Sequence, residues 1–520
     1  MKKIIKLFLA ILILIFPLSL ISCGSENFSI NYGISQPATN VDPLLASNEC
    51  EVAVVQNIFR GLFKLDESGK PVEDLIDKFT VSDDGLIYTF YLKDNLSWSN
   101  DYHLTASDFV FAIRRAASPN TKAKNTSLIN NIVNAQNILD GSMSPSKIGV
   151  IALNDQILQI SLIKPDNSFI YKLTDKLFFP CNEQFFNECK GKYGLNRKNI
   201  ISNGNYKISY WDTNIGNLRI TLNAKINDGF SHVGSVLFKY DSSDTVLNAI
   251  RNNKIDIGLL NGTEYSLVDN SKYTVQYGYD TVYFLYFNQN GLYGKSSLLC
   301  DSFAQSINRN ELNNKVKNYI KITNKIIPND ISFSGVNLDI GTPTYKVNYE
   351  PEKARNQFLK EINKIENFNI SNTKILCDNS EDSKNISLSV LSDWQNNLGA
   401  YFTINSTDNL SFEVNDAEIA LISATSKNKD IKEYLSLFSE KDAKIDYYNK
   451  NFEDVYSEIL IENDIEKCVE LIKEAENILI NDSSLIPIAQ SPTAYCFNSN
   501  YKNVKFDTHT GCIDFIKITY

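Results

Sequence analysis

Apolar residues recur along this chain at two spacings, and the switches between them mark out its elements. Phe28–Ile34 reads as a strand. Val55, Ile58, Phe59 and Leu62 then share one face at helical spacing, which predicts an amphipathic helix over Glu51–Phe63. Asp66-Glu67-Ser68-Gly69 is turn chemistry. Phe79–Val81 and Ile87–Lys93 read as paired strands across Ser82-Asp83-Asp84-Gly85, because Asp-Gly supplies the backbone a tight hairpin needs. Thr105-Ala106-Ser107-Asp108 is a capping box with Asp in the place of Glu, and it opens a helix that continues through Phe109–Ala117. Strands are expected over Asn203–Tyr210, Asn217–Asn223, Ile255–Leu259 and Val282–Phe287, with a helix over Asp244–Asn253. Helices are expected over Phe303–Val316, Pro351–Ile365 and Ile465–Ile480. This alternation predicts an α/β architecture with helix-flanked sheets. No internal repeat, low-complexity block or Pro/Gly/Ser linker interrupts it.

The first residues follow another pattern. Lys2, Lys3 and Lys6 precede an apolar run over Leu7–Leu20, and then comes Leu20-Ile21-Ser22-Cys23-Gly24. A short apolar run behind lysines is the pattern of a secretory signal peptide. A small residue followed by Cys reads as a lipobox, with Cys23 the lipid attachment site and the new N-terminus. A thioether-linked diacylglycerol and an amide-linked chain would together anchor the protein stably. The expected location is the periplasm or the outer face of the cell membrane, with membrane contact through the lipid only. No later apolar run is long enough to span a bilayer.

Composition narrows the classes further. The 520 residues carry a net charge of −10, and −13 once the three signal-peptide lysines are subtracted. That balance argues against nucleic-acid binding, which needs a basic footprint. The 27 Tyr and 29 Phe offer large aromatic area for a core, and Trp98, Trp211 and Trp394 read as packing residues. Cys50, Cys181, Cys189, Cys300, Cys377, Cys468, Cys496 and Cys512 show no metal-ligand spacing. Export permits disulfides, with Cys181/Cys189 and Cys496/Cys512 closest in sequence, and buried thiols are the equal alternative. No metal or other cofactor is expected. His103, His232 and His509 stand apart, and no G-x-S-x-G elbow is present. Gly294-Lys295-Ser296 suggests a phosphate loop, but its first glycine would fall at Gln289. Asp83-Asp84 lies on a hairpin, where adjacent side chains face opposite ways. A hydrolase therefore lacks its nucleophile constellation, and the chain is not expected to be an enzyme.

Several segments form an ordered series. Asn57-Ile58-Phe59-Arg60-Gly61-Leu62-Phe63-Lys64-Leu65-Asp66 is followed by Phe79–Asp94, Trp98-Ser99-Asn100-Asp101, Leu104–Phe111 and Arg114-Arg115-Ala116. Ile201–Lys207, Phe287-Asn288, Ser306-Ile307-Asn308-Arg309, Tyr349–Ala354 and Trp394–Gly399 continue it. In order and spacing this resembles the oligopeptide-binding proteins of ABC importers, the peptide/nickel class of extracellular solute-binding proteins in family 5. The resemblance covers nearly the whole mature chain and is strongest in its first third.

The resemblance implies a two-lobed periplasmic-binding-protein (Venus-flytrap) fold with an extra subdomain in the N-terminal half. The corresponding division is 1–22 signal peptide, 23–29 tether, 30–59 lobe I, 60–190 extra subdomain, 191–280 lobe I again, 281–485 lobe II and 486–520 the return to lobe I. It implies capture of oligopeptides between the lobes and delivery to an ABC permease with its ATPase subunits, by a monomer. Peptide backbone would be held by strand-like hydrogen bonds, with roomy wet pockets for side chains. Candidate ligand contacts are Ser47, Asn48 and Glu49 in the early loop, and Leu421, Ile422, Ser423 and Thr425 on the strand that begins at Glu418. Ser47 and Thr425 stand where the family has acidic residues, which weakens recognition of a free amine. Glu49 or Glu51 is a candidate substitute, although Glu51 at a helix start also suits the helix dipole. The alternatives are a non-peptide ligand (a metal chelate, haem or a sugar) and a surface interaction protein on the same scaffold.

Overall fold

The computed structural model describes residues 27–520, except 67–69, 167, 227–230, 242–243, 261, 263, 329–330, 334–335, 338–344, 346, 366–372, 426–430, 440–444, 446, 463 and 507–511. The signal sequence, Cys23, part of the turn after Asp66, and His509 lie outside the described residues.

Strand β1 (Phe28–Ile34) leads into helix α1 (Glu49–Ile58). This helix starts two residues before the predicted Glu51 and ends five before the predicted Phe63. Its start is set by Asn48, whose carboxamide accepts the Glu51 N–H at 2.9 Å. Its end is set by Phe59, which is extended at φ −118°, ψ 158°. There Asn203 brackets Arg60, accepting its N–H at 3.1 Å and donating to its carbonyl at 2.9 Å. Gly204 lies so close that a Cβ on it would fall 2.7 Å from the Ile58 carbonyl carbon.

Next come β2 (Ile76–Val81) and β3 (Ile87–Leu92), then α2 (Ala106–Ala117), then β4 (Val150–Asn154) and β5 (Ile157–Ser161). The four strands make an antiparallel sheet in the order β2-β3-β5-β4. The predicted hairpin forms, with Gly85 at φ +71° in its turn. The capping box forms too: the Asp108 carboxylate accepts the Thr105 N–H at 3.1 Å and also the Trp98 indole N–H at 3.0 Å.

A large mixed sheet carries the rest. Its first members are β6 (Tyr206–Asp212), β7 (Asn217–Leu222) and β8 (Val233–Tyr240), followed after α3 (Val246–Arg251) by β9 (Ile257–Leu260) and the long β10 (Tyr273–Phe287). Helices α4 (Ser297–Gln305), α5 (Arg309–Lys315) and α6 (Pro351–Ile362) follow. Then come β11 (Lys374–Asp378), α7 (Glu381–Leu398), β12 (Thr403–Thr407), β13 (Ile419–Thr425), α8 (Lys450–Ile461), α9 (Ile465–Ile480) and the long β14 (Leu485–Asn498). The single helix predicted over Phe303–Val316 is broken in two. Asn308 caps α5, and its own N–H is held by Asp393 at 2.9 Å.

The strand order is β12-β11-β13-β10-β14-β9-β1-β8-β7-β6, with the short Lys321–Ile322 strand on β14. Hydrophobic burial divides this sheet. One core gathers residues from Ile30 to Ile257 and from Tyr495 to Ile518, including α2 and the four-stranded sheet. A second gathers Val282 to Ala489, centred on rings such as Phe287, Tyr293, Phe303, Trp394 and Phe402. A small third core holds Leu247, Ile250, Ile255 and Cys496. Full burial of each such side chain contributes about 1.5–3 kcal/mol. Among the described residues, only β10 and β14 run from one side of this division to the other within the sheet. Away from it, Lys164 donates to the Ile461 carbonyl at 3.2 Å, joining the four-stranded region to the end of α8.

No disulfide joins the eight described cysteines, and all eight are buried. Among the described residues no helix is long and apolar enough to cross a membrane, and no cluster could hold a metal ion.

Candidate functional site

The site is built where β10 and β14 cross between the cores. Gly278 pairs with Thr493 and Thr281 with Ser491, so two residues of β10 face the single Pro492. Pro492 has no N–H to give to the ladder, and a bulge accommodates it. The bulge turns Tyr279 and Asp280 out of regular register. Asp280 then accepts the Thr493 hydroxyl at 2.6 Å. Tyr265 donates to the Pro492 carbonyl at 2.9 Å, and its ring meets Tyr319 edge-on at 4.4 Å. Tyr319 donates to Asp382 in the first turn of α7. Lys321 lies 3.7 Å over the Tyr279 ring.

Strand β13 borders this crossing. Its residues Ile419–Thr425 pair with β10 along their whole length, from Phe287 to Thr281. On the other side β11 pairs with Ile419 and Ala420 only. Among the described residues, no strand pairs with this edge of β13 from Leu421 to Thr425, and Asp378 at the end of β11 reaches it only through its side chain. Thr425 and Thr281 share a hydroxyl hydrogen bond at 2.6 Å. Ser423 donates to Asp378 at 2.7 Å, and Ser383 donates to the same oxygen at 2.8 Å. Burial works to raise the Asp378 carboxyl, but the donors from Ser380, Ser423 and Ser383 outweigh it and leave it below its usual range. Asp382 is shifted the other way, mainly by burial.

The early loop packs into the first core through Ala38, Val41, Leu44 and Ala46. Glu51 accepts the Thr39, Asn40, Ser47 and Asn48 N–H groups at 2.9–3.3 Å, and the Thr39 hydroxyl at 2.7 Å. Burial opposes ionisation there, yet these donors prevail and its carboxyl lies below the usual value. Glu51 therefore holds the loop in shape. Glu49 differs: it accepts the Tyr32 hydroxyl at 2.8 Å, and burial raises its carboxyl to about 7. Burial, then the Glu49 carboxylate, push the Tyr495 phenol up, and Asp280 adds to that push. Tyr495 of β14 thus stands within electrostatic reach of both Glu49 and Asp280.

The seven candidate contacts fall in different settings. Ser47 and Thr425 are exposed, and Ser423 and Ile422 are half-buried. Glu49 is half-buried beside Tyr32, while Asn48 uses its carboxamide to cap α1 and to donate to the Pro37 carbonyl. Leu421 is wholly buried in the second core. Asp280, Tyr265, Tyr319 and Asp382 belong to the same crossing and were not singled out from sequence. The only local signal was Gly278-Tyr279-Asp280, a break in an otherwise aromatic and aliphatic strand.

This arrangement offers hydroxyls, carboxylates, tyrosine faces and one unpaired strand edge. It can bind, and it can favour positive charge.

Known proteins agree with that reading. A dipeptide-binding protein of Lactococcus lactis is 26% identical over 66% of this chain and 66% of its own length. A dipeptide-binding protein of Bacillus subtilis is 22% identical over 90% of this chain and 87% of its own. For a periplasmic murein peptide-binding protein of Escherichia coli the match is 33% identical but spans 33% of this chain and 32% of that protein. Among solved structures, the unliganded open form of the murein tripeptide binding protein MppA superposes with a TM-score of 0.74 at 20% identity, covering 95% of this chain and 97% of that one. Listeria monocytogenes OppA bound to peptide gives 0.69 at 23% identity, covering 95% and 99%. These likenesses establish the two-lobed α/β fold of periplasmic binding proteins. The pattern of the bacterial extracellular solute-binding proteins, family 5 Middle, matches residues 70–446. The chain therefore belongs to the bacterial extracellular solute-binding proteins of family 5, and it is a binding protein rather than an enzyme.

Proposed function

We propose that this chain is an extracytoplasmic lipoprotein that captures oligopeptides between its two lobes and hands them to an ABC permease. The observation that carries the peptide reading is the edge of β13 over Leu421–Thr425, which no strand among the described residues pairs with, beside the crossing of β10 and β14. An extended peptide would add to this edge through its main chain, with its side chains in the polar space around it. On this reading residues 30–59, 191–280 and 486–520 form lobe I, 60–190 the extra subdomain and 281–485 lobe II. Ligand favours the closed state because only that state offers contacts from both lobes.

Neither Ser47 nor Thr425 can receive an ammonium as a carboxylate would. Glu49 is the candidate on the lobe I side, since Glu51 is engaged with its own loop. Ser423 and Thr425 are the candidate polar contacts from lobe II. The dipeptide-binding, murein peptide-binding and OppA names of the relatives support a peptide as solute.

Native mass spectrometry of the purified protein tests the reading. Co-purifying masses that differ by amino-acid residue masses are expected; one small-molecule mass would sink the peptide assignment. The anchor has a separate test. Cys23→Ala should abolish incorporation of labelled fatty acid, and retained label would refute attachment there.

A further inference from the structure

Very little chain separates Cys23 from the folded sheet. Asn27 already packs on the protein: a Cβ on Gly234 would fall 2.8 Å from the Asn27 Cβ. Phe28 is pinned beside it. Its N–H donates to the His232 carbonyl at 2.9 Å, and its ring lies 5.9 Å from both Tyr501 and Tyr520. Cys23 precedes Asn27 by four residues, which reach at most about 14 Å when fully extended. We propose that the end of lobe I around Phe28 rests on the phospholipid surface that holds the anchor, and that the cleft and lobe II stand off it. The proposal rests on lipid attachment at Cys23 as read above.

Strand direction fixes what lies near the lipid and what lies far from it. β1, β8 and β9 are parallel, and β8 starts beside Phe28. β10 starts at this end of the sheet and β14 finishes there, with Tyr273 paired to Asn498. The early loop follows Ile34, at the other end of β1 and about 20 Å away at the usual strand rise. The crossing at Gly278 and Thr493 is about 17 Å from the Tyr273–Asn498 pair on the same rise. Lobe II continues beyond it along both strands. The tether also limits tilting. β1 is an interior strand, and β8, β7 and β6 follow it to one edge of the sheet. At the usual spacing β6 lies about 14 Å from β1 before any side chain is added, as far as the whole tether reaches. Lobe I therefore cannot lie down on that edge. The surface at the Phe28 end suits a lipid interface. Tyr520 is 72% exposed, and its ring packs 5.0 Å from that of Tyr501. An aromatic ring with a polar tip is at home at headgroup level. Exposed Lys502, bridged through its backbone to Thr519, adds a positive charge for lipid phosphates.

The test uses the lipidated full chain in phosphatidylethanolamine–phosphatidylglycerol vesicles that carry a nitroxide-headgroup lipid as quencher. A fluorophore is attached through Asn500→Cys, whose native carboxamide lies 3.5 Å from the Tyr520 hydroxyl, or through Gln36→Cys just after β1. Both positions are exposed, and the eight described native cysteines are buried. Quenching should be at least about threefold greater at position 500 than at position 36, because about 20 Å of strand separates the two ends. Equal quenching, or more at position 36, overturns the proposal. Inserting about thirty Gly/Ser residues after Glu26, which span about 30 Å, should erase the difference. A difference that survives the insertion overturns the tether as its cause. A chain that does not float with the vesicles refutes attachment at Cys23 itself, so the two failures are told apart.

Discussion

Glu49 and Glu476 are both carboxyls raised to about 7, for different ends. If Glu49 receives the peptide's ammonium as proposed, the ligand would stabilise its charged form. Peptide binding would then release a proton, and affinity should rise with pH up to about tenfold per unit between about 5 and 7. Glu49→Gln should flatten that dependence in titrations across the range; an unchanged slope would remove Glu49 from ligand recognition. Glu476 is wholly inside the second core. One oxygen accepts the Ile326 and Ile327 N–H groups at 3.1 and 3.0 Å, and the other has no hydrogen-bond partner among the described residues. Burial dominates its shift, the two N–H groups and Lys325 oppose it, and the Tyr434 hydroxyl lies within its field. Because its folded value exceeds the unfolded one, its stabilising contribution is full below about 4.5 and is lost as pH rises through about 7. The loss is on the order of 3 kcal/mol. Denaturation of Glu476→Gln at pH 5 and 8 should show a smaller difference than the parent chain does. At this scale the sequence was half-informative. It pointed to Glu49 and Glu51 together, and only the loop geometry shows that Glu51 is taken up by its own loop. Asp280 was hidden because its setting depends on Pro492, more than 200 positions away, which imposes the bulge.

Elements were legible where their signals were local. Ile465–Ile480 and the Asp-Gly hairpin formed as expected from periodicity and turn chemistry. Elements bounded by tertiary contacts were not. The end of α1 is fixed by Asn203 and Gly204, and the break between α4 and α5 is tied to Asp393. Only the last six residues of β10 were read as a strand, since its first half is polar and takes its pairing from β14. The α1 boundary makes a direct prediction. Gly204→Ala places a methyl against the Ile58–Phe59 backbone and should cost roughly 1–3 kcal/mol, read as a lower urea midpoint. A neutral result would mean that this junction yields freely. The loop before α1 depends on a pair that is almost wholly buried: Arg115 of α2 donates to Asp42 and lies 4.2 Å over the Phe186 ring. Asp42→Ala strands that guanidinium and should cost roughly 3–5 kcal/mol by the same assay.

For the whole molecule, two strands carry the sheet between the main cores, and a bulge lies in one of them at the crossing. Bulges interrupt the ladder locally, so bending there disturbs fewer hydrogen bonds than bending a regular strand would. Addition of a bound peptide should reduce the radius of gyration in small-angle scattering, and an unchanged profile would argue against closure. The buried cysteines give this architecture a further consequence. Cys50, Cys181, Cys189 and Cys512 belong to the first core, Cys300, Cys377 and Cys468 to the second, and Cys496 to the third. A thiol reagent can reach each only when its own surroundings open. The native chain thus carries a built-in set of clocks, whose alkylation rates, resolved by peptide mapping, report the opening free energy of each core separately. A ligand that bridges the lobes should slow the clocks of the first and second cores alike, whereas one that grips a single lobe should slow only the clocks of the core it touches.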